Sequence, residues 1–416
     1  MPSTIAVEDL RVGMFIFLDG GWLSHPFPLS SFRIASVEQI AVLRGLKLLR
    51  VRWSAEKSDL PQAPTLLLGS PALPAPSQAE AAAQQRRELL LAQREATRHC
   101  ERQHAEATRA WREASDRVGS QPQAAGRSTE QLARAILDKM LGTDDIAIRL
   151  VTGGGDRSAA HALNVAVISL LIARTMGFTE PELLDLGIGA LLHDVGKSAV
   201  ADHVRHAEDG FSANELAAYR EHVAKGVAMG QRMRLPAGAL TVLAQHHEQT
   251  DGSGFPLQVG GERLTMAARV VALVNRYDNL CNPQSRTLAR TPHEAVSVLF
   301  AQGRQHFDSA VLTAFIRMMG VYPAGSLVQL TDDRYGLVVG ANSSRPLKPR
   351  VLVHDARVPR NEALMLDLER LPDLGIRRSL PAAKLPLAAI EYLDPRPRVA
   401  YYFEPLLQPA LEALAA

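Results

Sequence analysis

The chain has 416 residues, with 46 basic against 44 acidic side chains and a formal net charge of +2. That balance excludes the strong positive field on which bulk-charge binding to nucleic acid depends, so no nucleic-acid partner is expected. A hydrophobic share of 46% excludes a disordered chain, and the two cysteines, Cys100 and Cys281, cannot build a disulfide framework, which points to a reducing, cytoplasmic setting.

No apolar run is read as approaching the ~20 residues that span a bilayer. The first residues, MPSTIAVEDLRVGM, lack a basic start followed by an apolar core. No membrane partner is expected.

Residues 1–68 read as a small α+β domain: GMFIFLDGGWLSHPF as two extended pieces about a glycine turn, SVEQIAVLRGL as a short capped helix, KLLRVRW as a further strand. Residues 69–127 begin with a Pro/Ala/Ser-rich linker, GSPALPAPSQ. They continue into a charged stretch free of Pro and Gly from Ala79 to about Val118, read as one long helix. Its few apolar anchors include Leu89, Leu90 and Trp111. The helix is either a connector or, through residues 79–118, the contact of a homodimer.

Residues 128–320 are dominated by helical patterns, beginning with STEQLARAILDKML and its Ser-x-x-Gln capping box. Residues 321–416 return to short β-rich runs, SLVQL, YGLVVGAN, RVLVHDA and RVAYYFEP. The fold class expected is therefore multidomain: a central all-α bundle, a small N-terminal α+β domain and a mostly β C-terminal region.

Of the 13 histidines, the ones of interest lie in the helical span: His161, His193 beside Asp194, His222, and the adjacent His246 and His247. A lone histidine on an apolar helix is usually a satisfied core residue. Several at the ends of packed helices can instead converge, and imidazole with carboxylate suits Mn, Fe or Zn. Adjacent side chains on a helix diverge by about 100°, so His246 and His247 serve one centre only if the helix frays there or they approach from different sides. Asp194 has two oxygens and can bridge two cations. A pair of metals is a known solution for phosphoester displacement, one activating water and both stabilising phosphoryl charge.

LLHDVGK and HHEQTDGSGFP resemble the two defining motifs of the HD-GYP subgroup of the HD phosphohydrolase superfamily, HDxGK and HHExxDGxGYP. The resemblance runs from about Gln131 to Ala314 and takes in HALNVA at the first histidine and QHFDSAV near the end. The first 60 residues also resemble a domain of unknown function often joined to such units in bacteria. The resemblance implies an HD-type bundle that hydrolyses cyclic di-GMP to pGpG, with GMP as a further product. The chemistry would run by metal-activated water at a centre of two divalent ions, iron or manganese. It implies that His161, His193 and Asp194 hold one metal, and that Asp194 bridges to a second held by His222, His246 and His247. Lys197 would contact a scissile-phosphate oxygen.

Several positions depart from the family pattern. VNRYDNL places Asn275 where a ligand Asp is expected, with Asp278 three residues on as a possible substitute. Asn offers only a neutral oxygen, so the alternative function is a weak or inactive cyclic di-GMP receptor or signalling scaffold. Arg157 stands where three-metal members carry Glu, which argues against a third ion. Phe255 replaces the Tyr of GYP, and the Gly252–Pro256 loop is a possible protein contact. The basic segment is altered to NPQSRT, leaving Arg286 as the expected phosphate-gripping residue. Glu248 and Asp251 are read as orienting histidines or capping the turn.

Overall fold

The computed structural model describes residues 3–18, 25, 27, 31–46, 48–59, 78–142, 146–152, 156–205, 211–341 and 346–405. The expected glycine turn at 19–24 and most of the linker, 69–77, lie outside these residues. Contacts cluster into two units, Met1–Gln84 and Gln85–Ala416.

In the first unit four antiparallel strands, β1 (Ser3–Ala6), β2 (Phe15–Phe17), β3 (Ser31–Arg33) and β4 (Arg50–Ser54), pair in the order β1-β4-β2-β3. Helix α1 (Val37–Gly45) is capped by Ser36, whose Oγ accepts from the Gln39 amide at 3.4 Å. Ile16, Ile34, Leu43 and Val51 form its buried core. This is the α+β module expected.

The second unit opens within α2 (Gln78–Asp116), which is not an isolated connector. Leu89, Cys100, Ala107 and Ala114 bury one side of it, and Gln93 exchanges hydrogen bonds with the Met365 backbone at 2.9 Å in both directions. There follow α3 (Pro122–Leu141), β5 (Ile146–Val151), α4 (Arg157–Thr175), α5 (Glu180–Leu192), α6 (Ala213–Met233), α7 (Ala237–Gln245), α8 (Met266–Cys281), α9 (Pro292–His306) and α10 (Ser309–Met319). The C-terminal part adds β6 (Leu327–Leu330), β7 (Tyr335–Gly340), β8 (Arg350–Val353), β9 (Met365–Asp367), β10 (Ile376–Ser379), α11 (Leu387–Leu393) and β11 (Ala400–Pro405).

Two expectations are corrected here. The helix α3 starts at Pro122, with proline in its first turn, so Ser128 is an interior residue and not a cap. Gly126 inside this helix serves close packing: a Cβ on it would lie 2.4 Å from the Met233 carbonyl oxygen. Second, the central helical bundle, otherwise as expected, contains one strand. IAIRLV forms β5, which pairs along its whole length with β11, from Ala400 opposite Val151 to Pro405 opposite Ile146. The sheet therefore crosses the division drawn at residue 320, with the path β10-β6-β7-β5-β11 and β8–β9 branching from β7. A short apolar run cannot be told from buried helix by periodicity alone.

Helix α4 is long and apolar enough to cross a membrane by composition, which corrects the reading that no such run exists. Here 72% of that window is buried inside the protein. Apolar on every side, α4 is the central core helix, packed by α5, α8, α10 and β11.

At the end of α5 the 3-10 turn Val195–Ala199 runs against α6 with no room for a side chain at Gly196. A Cβ there would lie 1.9 Å from the His222 carbonyl oxygen and 2.4 Å from the Gly226 nitrogen. Gly196→Ala is expected to cost ~3 kcal/mol, the upper end for overpacking. Thermal unfolding checks this; an unchanged midpoint would show that the turn can move away from α6.

Candidate metal centre

His161 lies in the first turns of α4, His193 caps α5, His222 projects from α6, and His246 caps α7 with His247 following. Asp194 follows His193 at φ −98°, ψ 8°, in the sparsely populated bridge region. The fold brings all six together. His161, His193 and Asp194 form one group, and Asp194, His222, His246 and His247 a second. In each, the ligand atoms lie within 4.8 Å of one another.

Hydrogen bonds fix which ring nitrogens face inward. Nδ1 of His193, His222 and His246 donates to the carbonyls of Ala190, Tyr219 and Leu243 at 2.8, 2.6 and 2.9 Å. Nδ1 of His161 donates to Asp278 Oδ2 at 2.6 Å. A carbonyl only accepts, so Nδ1 carries the hydrogen, and in a neutral ring Nε2 is left as a lone pair. Yet Nε2 of His161 lies 3.1 Å from Nε2 of His193, and Nε2 of His222 lies 3.4 Å from that of His246. Lone pairs that close repel unless a proton or cation sits between them.

Asp194 divides its oxygens between the two pairs. Oδ2 is 3.5 and 3.4 Å from Nε2 of His161 and His193, while Oδ1 is 3.6 and 3.7 Å from Nε2 of His222 and His246. Ligands ~2.1 Å from a shared ion sit about 3–3.5 Å apart, close to these separations. Asp194 Oδ1 and His247 Nε2 are buried without a hydrogen-bond partner, a costly arrangement that a cation would relieve. The residues present therefore fit two divalent ions sharing Asp194.

Protonation agrees. Burial holds His193 below its usual range, drives His222 down to about 3 and holds His247 well below its usual value, so these rings are neutral. Burial also opposes charge on His161, but Asp194 and Asp278 outweigh it and raise its pKa to about 9. Without an ion, His161 thus carries the proton a cation would replace. Burial works against the Asp194 carboxylate too, but Lys197 and the neighbouring imidazoles hold it ionised, well below the normal range. Lys197 Nζ donates to Asp194 Oδ2 at 2.7 Å.

The other expected residues fall differently. Asp278 is not positioned as a replacement ligand: fully buried, it accepts from His161 and takes Nδ2 hydrogen bonds from Asn164 at 2.7 Å and Asn282 at 2.9 Å. Asn275 is buried, and its Oδ1 accepts from Asn279 Nδ2 at 2.7 Å. Arg286 is exposed on the 3-10 turn Arg286–Leu288 and does not line the cleft over the centre, whereas Arg157, Arg205 and Asn279 do. Glu248 folds the glycine-rich loop, accepting from Leu257 and Val259 at 2.7 and 3.1 Å, and Asp251 caps the turn at Ser253. Phe255 stacks on His247 with ring centroids 4.4 Å apart.

Comparison with known proteins identifies this arrangement. Residues 131–311 match the family model described as HD domain, and residues 3–128 match a model described as a domain of unknown function. Residues 131–311 are thus an HD domain by similarity. It is 29% identical over 365 residues to a cyclic di-GMP phosphodiesterase of Pseudomonas aeruginosa, covering 85% of each chain. It is 32% identical over 153 residues to a 3'3'-cGAMP-specific phosphodiesterase of Vibrio cholerae, covering 36% of this chain and 29% of that one. Among solved structures, an HDG"Y"P protein from Bdellovibrio bacteriovorus aligns with a TM-score of 0.42 at 15% identity, over 76% of this chain and 98% of that one.

Within the HD domain, sequence reasoning missed the brace behind His161. Asn164 and Asn282 both hold Asp278 and both donate to the Val399 carbonyl, at 3.1 and 2.9 Å. Their oxygens accept from the Tyr401 and Val399 amides at 2.7 and 3.0 Å. The asparagine in HALNVA was the one available signal, and its partners lie more than a hundred residues away. A partner on the outer nitrogen of a ligating histidine fixes the tautomer and raises ligand basicity. Asp278→Asn is expected to weaken the His161/His193 site 10- to 100-fold and leave the second site unchanged, read by Mn²⁺ titration calorimetry. Equal weakening of both sites would show only a general loss of structure.

Proposed function

We propose that this protein is a phosphodiesterase that uses two divalent ions to cleave cyclic di-GMP to pGpG, with GMP as a further product. The observation that carries the reading is the single carboxylate of Asp194 facing two pairs of imidazole nitrogens, with Lys197 on one of its oxygens. The similarity of nearly the whole chain to a relative named a cyclic di-GMP phosphodiesterase supports the substrate.

His161 and His193 would hold one ion and His222, His246 and His247 the other, with Asp194 bridging. Ions held there would polarise a phosphoryl oxygen and lower the pKa of a water molecule. The chain's own part is positional and electrostatic. Lys197, raised above its usual pKa by Asp194 although burial opposes it, stays cationic and can offset charge on a phosphoryl oxygen. Arg157 and Arg205 line the same cleft and add positive charge for the substrate's phosphates. Iron or manganese is compatible with the mixed imidazole–carboxylate set. A cytoplasmic location is in keeping with the free thiols of Cys100 and Cys281, both buried.

A second reading rests on Asn275, a neutral side chain whose oxygen is engaged within its own helix by Asn279. On that reading the protein binds cyclic di-GMP without turnover and signals through its flanking regions.

Purified anaerobically and supplied with Mn²⁺ or Fe²⁺, the protein is expected to convert cyclic di-GMP to pGpG on a chromatogram. The His193→Ala/Asp194→Ala double variant should lose both metal and product. Tight binding with no product would favour the receptor. Asn275→Asp is expected to raise metal affinity or turnover, and no change in either would remove position 275 from the ligand set.

A further inference from the structure

The long helix α2 forms part of the cleft over the metal centre. Trp111 and Ser115 line that cleft together with Arg157, His161, Asp194 and Lys197. Two contacts lock this stretch of α2 in place. The Trp111 indole N–H donates to the Leu191 carbonyl at 2.8 Å, two residues before His193. The neighbouring Arg112 pairs with Asp156 at 2.7 Å, and Asp156 is the residue that caps α4, the helix bearing His161. The same helix therefore touches both elements that supply the first metal group.

The chemistry of this wall differs from the rest of the cleft. Lys197, Arg157 and Arg205 supply positive charge for phosphates, but none offers a broad apolar plane. Trp111 does. Trp111 is only partly buried and lines the cleft, and its one polar atom is already satisfied by Leu191, so the ring is anchored at the cleft wall. A partly exposed tryptophan fixed beside Lys197 and Arg157 matches a ligand that joins a phosphodiester to a flat aromatic base, since every base has a π-face to stack.

We propose that Trp111 is the stacking platform for a purine base of the cyclic dinucleotide whose phosphodiester lies at Asp194 and Lys197. This rests on the phosphodiesterase reading and extends it. The substrate site takes in a residue from the segment matched by the model of unknown function, residues 3–128. That segment then contributes directly to recognition, and Trp111 discriminates among cyclic dinucleotides by the stacking surface of their bases.

The test uses the full-length, Mn²⁺-loaded protein and its Trp111→Leu and Trp111→Phe variants. Dissociation constants for cyclic di-GMP and cyclic di-UMP are measured by calorimetry, with KM and kcat where turnover occurs and metal content for each protein. Trp111→Leu keeps apolar bulk but no ring, and is expected to weaken cyclic di-GMP binding about tenfold while metal content is unchanged. The loss should fall on KM more than kcat and narrow the preference for the purine ligand. Trp111→Phe should restore most of that preference. Equal losses for both ligands, or wild-type affinity in Trp111→Leu, would overturn the stacking role and leave the phosphodiesterase reading standing. A wild-type protein that neither binds nor hydrolyses cyclic di-GMP would overturn both.

Discussion

The second unit is organised around an electrostatic conflict at Asp194. One carboxylate lies between two pairs of imidazole nitrogens, each pair too close for its lone pairs to coexist unrelieved. Burial keeps most of these rings neutral, so protons do not resolve the conflict throughout; cations do. The helices that carry the histidines are accordingly built to end or face at this point. Helix α5 stops at His193, α7 stops at His246, and Gly196 lets the turn carrying Lys197 lie directly on α6. Buried polar groups held in this way are strongly stabilised only when their charge is balanced, so folding of this region and occupation of the site are coupled.

Behind the ligands stands a layer of amide side chains. Asp278 orients His161, and Asn164 and Asn282 orient Asp278 while clamping the backbone at Val399 and Tyr401. The strand β11, near the C-terminal end of the described chain, is thereby joined to a metal ligand by unbroken hydrogen bonds. The C-terminal sheet is a structural support of the centre, and α2 lies along the same sheet through Gln93 and Met365. Regions that read as appendages in the sequence are bound into the catalytic unit.

Sequence reasoning located the residues that cluster here because their chemistry is local and periodic. Histidines at helix ends, a His-Asp pair before a glycine and a histidine doublet before a glycine-rich turn are visible without coordinates. Their convergence followed from a resemblance over the helical span. The doublet is now understood: His246 ends its helix, so His247 follows it outside the helical period and both rings turn toward the Asp194 and His222 cluster.

The sequence by itself determined the residue types of the cluster, the helical character of the span that carries them, and the α+β nature of the first unit. Tertiary structure alone decided that Asp278 is the hydrogen-bond partner of His161, that Arg157 and Arg205 rather than Arg286 line the cleft, and that Trp111 walls it. It also decided that β5 leaves the helical span to pair with β11. Ligand chemistry and helical period are properties of neighbouring residues, whereas each of these outcomes depends on contacts between residues far apart in the chain, which no local pattern encodes.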